Sequence, residues 1–299
     1  MVLEGWGQRA VAVEVGGGLR SYEARGVPVL DGYAEDERCH SGRGQALLPW
    51  PNRLDGGRFE FDGVHEQAPL DEPGAGNAIH GLTRWLQWEV LDAATDRAVL
   101  GCHLHPRPGW AWPLELRIAY RLARAGLEVT VGARNTGQRR SPWAAGFHPY
   151  LAAPHGSVDR IELLVPASTV YRTDDRGLPT GTEALRGGQE DFSSPAVIGD
   201  RVLDHCYTGL ARDAEGVATV VARDPVAGGS VTLSLGPAWS HVMVFTGDTV
   251  GGRARTGLAV EPMTGPANLL RSGESLVIID PGEVWEGTFS ISPSWLDGS

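Results

Sequence analysis

Apolar residues in this chain recur mostly at every second position, in short runs separated by glycine and proline. That pattern limits the fold more than any other feature. Ile118, Tyr120 and Leu122 alternate with Arg117, Ala119 and Arg121. Leu127, Val129 and Val131 repeat the pattern, as do Val231, Leu233 and Leu235, and also Val11, Val13 and Val15. Near the end, Trp285, Phe289 and Ile291 fall on one face. Successive side chains of a strand point to opposite sides, so each run predicts a half-buried β-strand. Turn clusters separate them: Gly16-Gly17-Gly18, Asp55-Gly56-Gly57, Ala133 to Gly137 and Ala227-Gly228-Gly229. With 41 Gly and 20 Pro, the chain favours many turns between short strands over long helices.

The runs flanking Asn135 to Gly137 suit a hairpin, although Pro142 soon breaks the second. The stretch from Pro179 to Asp200 is polar and Gly-rich and reads as a long excursion. No segment carries a long amphipathic helix, no 20–50-residue repeat is visible, and no linker or charge block divides the chain. The expectation is an all-β sandwich, residues 1–299 forming one domain. Even at 299 residues this is reasonable, because β-sandwiches and barrels often exceed 200 residues as one unit.

Charge narrows the function. The formal net charge of −11 argues against nonspecific binding to nucleic acid or to an anionic membrane. All 26 basic residues are arginine, so lysine Schiff-base chemistry and the phosphate-binding lysine of a P-loop are excluded. Cys39, Cys102 and Cys206 are odd in number and far apart, which fits neither a disulfide framework nor a zinc knuckle. The first 30 residues lack a basic start followed by an apolar stretch, and no run approaches about 18 apolar residues. A cytoplasmic location is the expectation.

Ionisable residues sit beside Gly, Pro or aromatic residues at five places. These are Pro51-Asn52-Arg53, Asn77-Ala78-Ile79-His80-Gly81, Gly146-Phe147-His148-Pro149-Tyr150, Leu203-Asp204-His205 and Val260-Glu261-Pro262. Taken singly, each suits an ordinary surface or structural residue. Together and in this order, the strings LLPWPNRLDGGRF, NAIHGL, GFHPYL, LDHCY and AVEPMTGPANLL resemble the aldose 1-epimerase (galactose mutarotase) family, from about Leu47 to Asn268. GFHPYL and AVEPMTGP are the most specific. The chain departs from the family pattern in being somewhat short and in having PWPNRL where a threonine-asparagine opening is more familiar.

The resemblance implies a large antiparallel β-supersandwich with an open groove for a sugar. It implies His148 as general acid and Glu261 as general base. His80 would position the sugar, with Asn52 and Arg53 in PNRL and Asp204 in LDHCY binding hydroxyls. It implies no cofactor and no metal. The expected partner is a small-molecule sugar, with no nucleic acid or membrane, and the expected state a monomer or homodimer.

Exchanging α and β anomers requires breaking the C1–O5 bond of a hemiacetal. A base takes the C1 hydroxyl proton, an acid gives one to O5, the open aldehyde rotates, and the roles reverse. Glu starts near ~4.3 and His near ~6.5, so modest environmental effects poise both for this cycle. A nearby carboxylate is expected to favour the protonated, donating histidine. Arginine offers a rigid fork of donors and aspartate accepts from hydroxyls. Trp50, Trp85, Trp143 and Tyr150 lie beside the motifs and are candidates for an apolar floor.

Cys102-His103-Leu104-His105 places two histidines on one strand face without a third zinc ligand at a suitable spacing. His205 and His241 read as structural or exposed, and Gly251 to Arg255 as a loop near the groove. A hexose-6-phosphate 1-epimerase is the second enzyme reading, needing an arginine cluster that Arg53, Arg84, Arg253 or Arg255 would supply. A sugar-binding module without turnover is the third, although it would need neither an acid nor a base. A glycosidase usually needs a carboxylate pair, and here the pattern offers His plus Glu.

Overall fold

The alternating runs become the centre of a nine-stranded antiparallel sheet in the computed structural model, which describes residues 1–226 and 228–296. Ala227, assigned to a turn from sequence, lies outside the described residues. The strand Leu114–Ala123 pairs with Gly126–Asn135, setting Ile118 opposite Val131. Gly126–Asn135 pairs in turn with Val284–Pro293, where Val129 faces Phe289, and Val284–Pro293 pairs with Ser230–Leu235. In each strand the apolar set is buried and the intervening set more exposed, which is what half-buried strands require.

A second, eight-stranded sheet packs against the first. Its path runs through Pro179–Ala184, Thr169–Thr173, Asp204–Thr208, His241–Phe245, Gly257–Met263, Gly146–Phe147 and Ala46–Leu47, with Tyr150–Ala152 also paired to Gly257–Met263. The core lies between the sheets. Phe147 from the second sheet meets Tyr120 and Phe289 of the first at ring-centroid distances of 6.4 and 5.3 Å. A four-stranded sheet formed by residues 2–28 adds to this all-β architecture, and the α-helix Leu269–Ser272 is a single turn.

Three local expectations are corrected. Val13 and Val15 do not extend the strand Gln8–Ala12, and Val15 is exposed. Gly16 turns the chain with φ 75°, and a Cβ there would sit 2.3 Å from the Arg84 carbonyl oxygen. The hairpin joining the long strands turns before Gly126, not at Asn135 to Gly137. Asn135 instead ends its strand: its amide donates to the carbonyls of Arg139 and Ile279 and accepts from Gly137 N–H. The chain then enters Ser141–Trp143, which pairs with Val277–Ile279. The excursion after Pro179 begins as a true strand, Pro179–Ala184, at the edge of the second sheet. An exposed edge strand needs no apolar alternation, which is why it reads as loop.

Candidate active site

Strand pairing alone brings His148 beside Glu261. Gly146 pairs with Met263 and Tyr150 with Ala259, both on the strand Gly257–Met263. His148 and Pro149 interrupt the ladder between those pairs, opposite Glu261. Proline cannot donate a ladder hydrogen bond, and its carbonyl accepts from Val260 N–H at 3.1 Å. The interruption turns the imidazole toward the carboxyl: His148 Nε2 lies 3.3 Å from Glu261 Oε1, with both side chains almost fully buried.

The pair forms one wall of a cleft of about 350 Å³. This lies at the small end of the roughly 300–1,000 Å³ typical of small-molecule sites. Asn52, Arg53, His80, Asp204 and Tyr150 also line it, so the cleft gathers every site residue expected from sequence. Arg84, Asp71, Glu72, Phe245, Thr249 and Val250 complete much of the lining. Of the aromatic candidates only Tyr150 reaches the cleft. Trp50 and Trp143 are core residues at 1% and 0% exposure, and Trp85 is exposed away from the lining.

Asn52 and His80 hold each other in place. Both have left-handed backbones, with φ 54° and 63°, a conformation non-glycine residues adopt mainly where surroundings enforce it. Here the enforcement is reciprocal: His80 N–H donates to the Asn52 carbonyl at 2.9 Å, and Asn52 N–H donates to His80 Nδ1 at 3.1 Å. Nδ1 is therefore an acceptor, and the neutral ring carries its proton on Nε2. Asn52 Oδ1 is occupied by Arg53 N–H, which leaves its NH2 as the free end of the amide. Arg53 is held in turn by Glu72, which accepts from Nε at 2.9 Å and from Nη2 at 3.1 Å. Asp204 begins the strand Asp204–Thr208 at the exposed mouth, paired across the ladder with Phe245.

Burial sets the protonation of this cluster. It pushes the His148 imidazole down to about 3, with the Arg84 and Arg43 guanidinium groups acting in the same direction. It pushes the Glu261 carboxyl well above the usual carboxylate range, aided by Asp204 and opposed by Arg53. His80 is held well below its ordinary value by burial, His148, Arg84 and Arg53. The cleft walls thin the hydration of Asp204 and raise its carboxyl, against the pull of Arg53. The expectation that a carboxylate would keep His148 protonated is thus corrected: burial and two arginines outweigh it. His148 Nδ1, Glu261 Oε2 and the Tyr150 hydroxyl are buried without a protein hydrogen-bond partner among the described residues.

The residues set aside from sequence lie elsewhere. His241 is buried against the Tyr171 hydroxyl and Ser240 Oγ, and His205 Nδ1 accepts from Asp204 N–H. The His103 and His105 rings stack 6.0 Å apart, and no group of three or more potential ligands surrounds a metal position among the described residues. No residue from Gly251 to Arg255 lines the cleft; the preceding Thr249 and Val250 do. Two features escaped sequence reasoning: Glu72, which orients Arg53, and the turn Ser41-Gly42-Arg43-Gly44-Gln45 behind His148. The only sequence signal for the turn is an Arg between two glycines just ahead of LLPWPNR.

The sequence model of the aldose 1-epimerase family matches residues 3–292. The chain is 30% identical to the uncharacterised protein YihR of Escherichia coli over 283 residues, 94% of this chain and 89% of that protein. A crystal structure of an aldose epimerase homologue from C. elegans superposes with a TM-score of 0.87 at 16% identity, covering 98% of each chain. The galactose 1-epimerase of Lactobacillus acidophilus superposes with a TM-score of 0.83 at 17% identity, covering 98% of this chain and 93% of that one.

Proposed function

The chain belongs to the aldose 1-epimerase family, and from that premise we propose that it interconverts the α and β anomers of a free, neutral aldohexose such as glucose or galactose. The observation that carries the reading is the 3.3 Å approach of His148 Nε2 to Glu261 Oε1 on the wall of a monosaccharide-sized cleft. O1 and O5 of a pyranose are bonded to the same carbon. An acid and a base that serve both oxygens must therefore lie side by side, whereas the carboxyl pairs of glycosidases stand about 5–9.5 Å apart.

The pair works with one mobile proton. Burial favours the form in which Glu261 holds it and His148 is neutral. Transfer across the 3.3 Å contact gives the reactive tautomer, imidazolium beside carboxylate, with no change in net charge. Glu261 then takes the O1 proton as His148 gives its proton to O5, and the C1–O5 bond breaks. Ring opening returns the pair to its neutral form, which the dry site favours. After rotation about C1–C2, the reverse transfers close the ring on the other face. His80 donates through Nε2–H to a sugar oxygen, while Arg53 and the Asn52 amide donate to hydroxyls and Asp204 accepts from them. Each positioned proton-transfer group contributes typically about 10²–10⁴-fold.

A neutral substrate is favoured because the arginines that a phosphate would need already hold carboxylates. Arg53 is on Glu72, Arg84 on Asp71 at 2.6 Å, Arg253 on Asp31, and Arg255 on Asp159 and Asp248. We also read residues 1–299 as one domain, since one apolar cluster runs from Leu3 to Leu296.

Polarimetry on freshly dissolved α-glucose and α-galactose, with NMR exchange on glucose 6-phosphate, tests the proposal. Rapid equilibration of a neutral sugar is expected. Acceleration of the phosphosugar alone would replace this reading with the 6-phosphate one, and binding without acceleration would leave a sugar-binding protein.

A further inference from the structure

His148 is gripped by the turn from Ser41 to Gln45, of which Ser41 and Gly42 reach the cleft lining and Arg43, Gly44 and Gln45 do not. Its backbone N–H donates to the Gln45 carbonyl at 3.0 Å, and its carbonyl accepts from Gly44 N–H at 2.8 Å. Gly42, at φ 73°, presses its backbone on the ring edge, where an added Cβ would stand 2.5 Å from His148 Cδ2. The ring face is held too. Tyr150 stacks on His148, with centroids 4.9 Å apart and an angle of 3° between the ring planes. The Arg43 guanidinium carbon sits 4.2 Å from the Tyr150 ring centroid.

Arg43 is only 2% exposed. Burying a guanidinium is costly unless it is paired. Its Nη2 donates to Asp31 at 3.0 Å and its Nη1 approaches His40 Nδ1 at 3.2 Å, while its Nε has no partner among the described residues. A purely structural ion pair explains this poorly, because Asp31 is already served by Arg253 and by the Thr256 hydroxyl. What Arg43 has beyond those contacts is the face of Tyr150, and a guanidinium over an aromatic ring is attractive, more so when desolvated.

We infer that Arg43 is a positioning residue for His148, which it orients through the Tyr150 ring and through the turn Gly42-Arg43-Gly44-Gln45. This rests on the proposed role of His148 in proton transfer. Arg43 does not line the cleft, so it acts on the proton transfer without touching sugar. Its charge also opposes protonation of His148, in the same sense as Arg84. The other ionisable groups around that ring are Glu261 from the facing strand Gly257–Met263, His80 and Arg84 from the segment after Asn77–Ile79, and Tyr150. Arg53 and Asp204 stand further along the cleft.

The test compares wild type with Arg43→Met, which removes charge and planarity, and Arg43→Lys, which keeps charge alone. Steady-state mutarotation is read across pH, and the His148 ring carbon is titrated by NMR. For Arg43→Met we expect kcat to fall about tenfold with KM within about twofold, because misplacing a reacting group by even a fraction of an ångström is costly. The acid limb and the His148 titration should move up by about one pH unit. Arg43→Lys should keep the wild-type titration yet lose kcat about threefold, since ammonium does not stack as guanidinium does.

A folded Arg43→Met with wild-type kcat and titration overturns the inference. Should that variant not fold, wild-type kcat in Arg43→Lys overturns it instead. Wild type inactive on every sugar would instead defeat the functional reading. The His148 titration would still decide whether Arg43 controls that ring.

Discussion

In the strand Leu114–Ala123 burial alternates residue by residue, whereas in Gly257–Met263 all seven residues are buried, Glu261 among them. The first strand lies in the nine-stranded sheet, with one side in the core and charged residues such as Arg117 and Arg121 on the other. The second is covered on one side by the core and on the other by cleft walls that carry ionisable groups. Alternation in the first follows from the hydrophobic effect alone. In the second, a carboxyl occupies a position that core packing would give to an apolar residue. Glu261 is tolerated because burial keeps it protonated and His148 stands 3.3 Å away. One sheet carries stability, and the other holds a group that costs stability and that, in the function proposed, moves a proton.

Glu261→Gln and Ile118→Ala should separate these roles most sharply. The glutamine copies the shape of a protonated carboxyl, so mutarotation should fall by more than ~10²-fold with little change in unfolding midpoint. Ile118 is fully buried, and its truncation should cost about 2–5 kcal/mol in urea unfolding while the folded fraction keeps its kcat. If Glu261→Gln unfolds the protein, or Ile118→Ala abolishes turnover while folded, the division between the sheets is wrong.

Glu72→Gln is expected to act on binding. Freed from its two-oxygen clamp, Arg53 loses its fixed direction, and KM should rise about tenfold with kcat within about twofold. An unchanged KM, measured by the initial rate of anomer exchange, would remove Arg53 from the sugar contacts.

The smallest expected effect is a pH dependence of stability confined to the buried pair. Folded, the pair holds one proton from about 3 upward, until the raised Glu261 value is passed. Unfolded, it holds two protons below 4.5, one between 4.5 and 6.5, and none above 6.5. Stability follows the excess of protons in the unfolded state. The pair's contribution therefore rises with pH from about 3 to 4.5, and is then level for as long as folded and unfolded chains each hold one proton. Urea midpoints of wild type minus those of the His148→Gln/Glu261→Gln double variant should trace that plateau. A difference independent of pH would mean that neither group is perturbed by folding.

Much of the architecture was legible because half-buried strands announce themselves through period two, as from Ile118 to Leu122 and from Leu127 to Val131. The misreadings fell where another force prevailed. Val13 and Val15 alternate but are cut off by the turn at Gly16, and the edge strand Pro179–Ala184 has no apolar face to display. Trp50 and Trp143 neighbour the motifs yet pack in the core, where Trp50 meets Trp110 and Trp143 meets Trp285. The cleft's members were legible only as an ordered set of motifs. Glu72 and the Gly42–Gln45 turn were not, since their contacts join segments distant in sequence and leave no periodic trace. Nor could composition reveal that burial would reverse the expected protonation of His148.

The central claim is that His148 and Glu261 share one mobile proton at the anomeric carbon, and the pH dependence of kcat/KM for glucose or galactose, followed by NMR anomer exchange, tests it most directly. We expect a bell-shaped profile, with an acid limb near 3 where His148 takes up a second proton. Its alkaline limb should lie well above the ordinary carboxylate value of 4.5, where Glu261 loses the pair's last proton. An alkaline limb at the ordinary carboxylate value, or none at any pH where the protein stays folded, would contradict it.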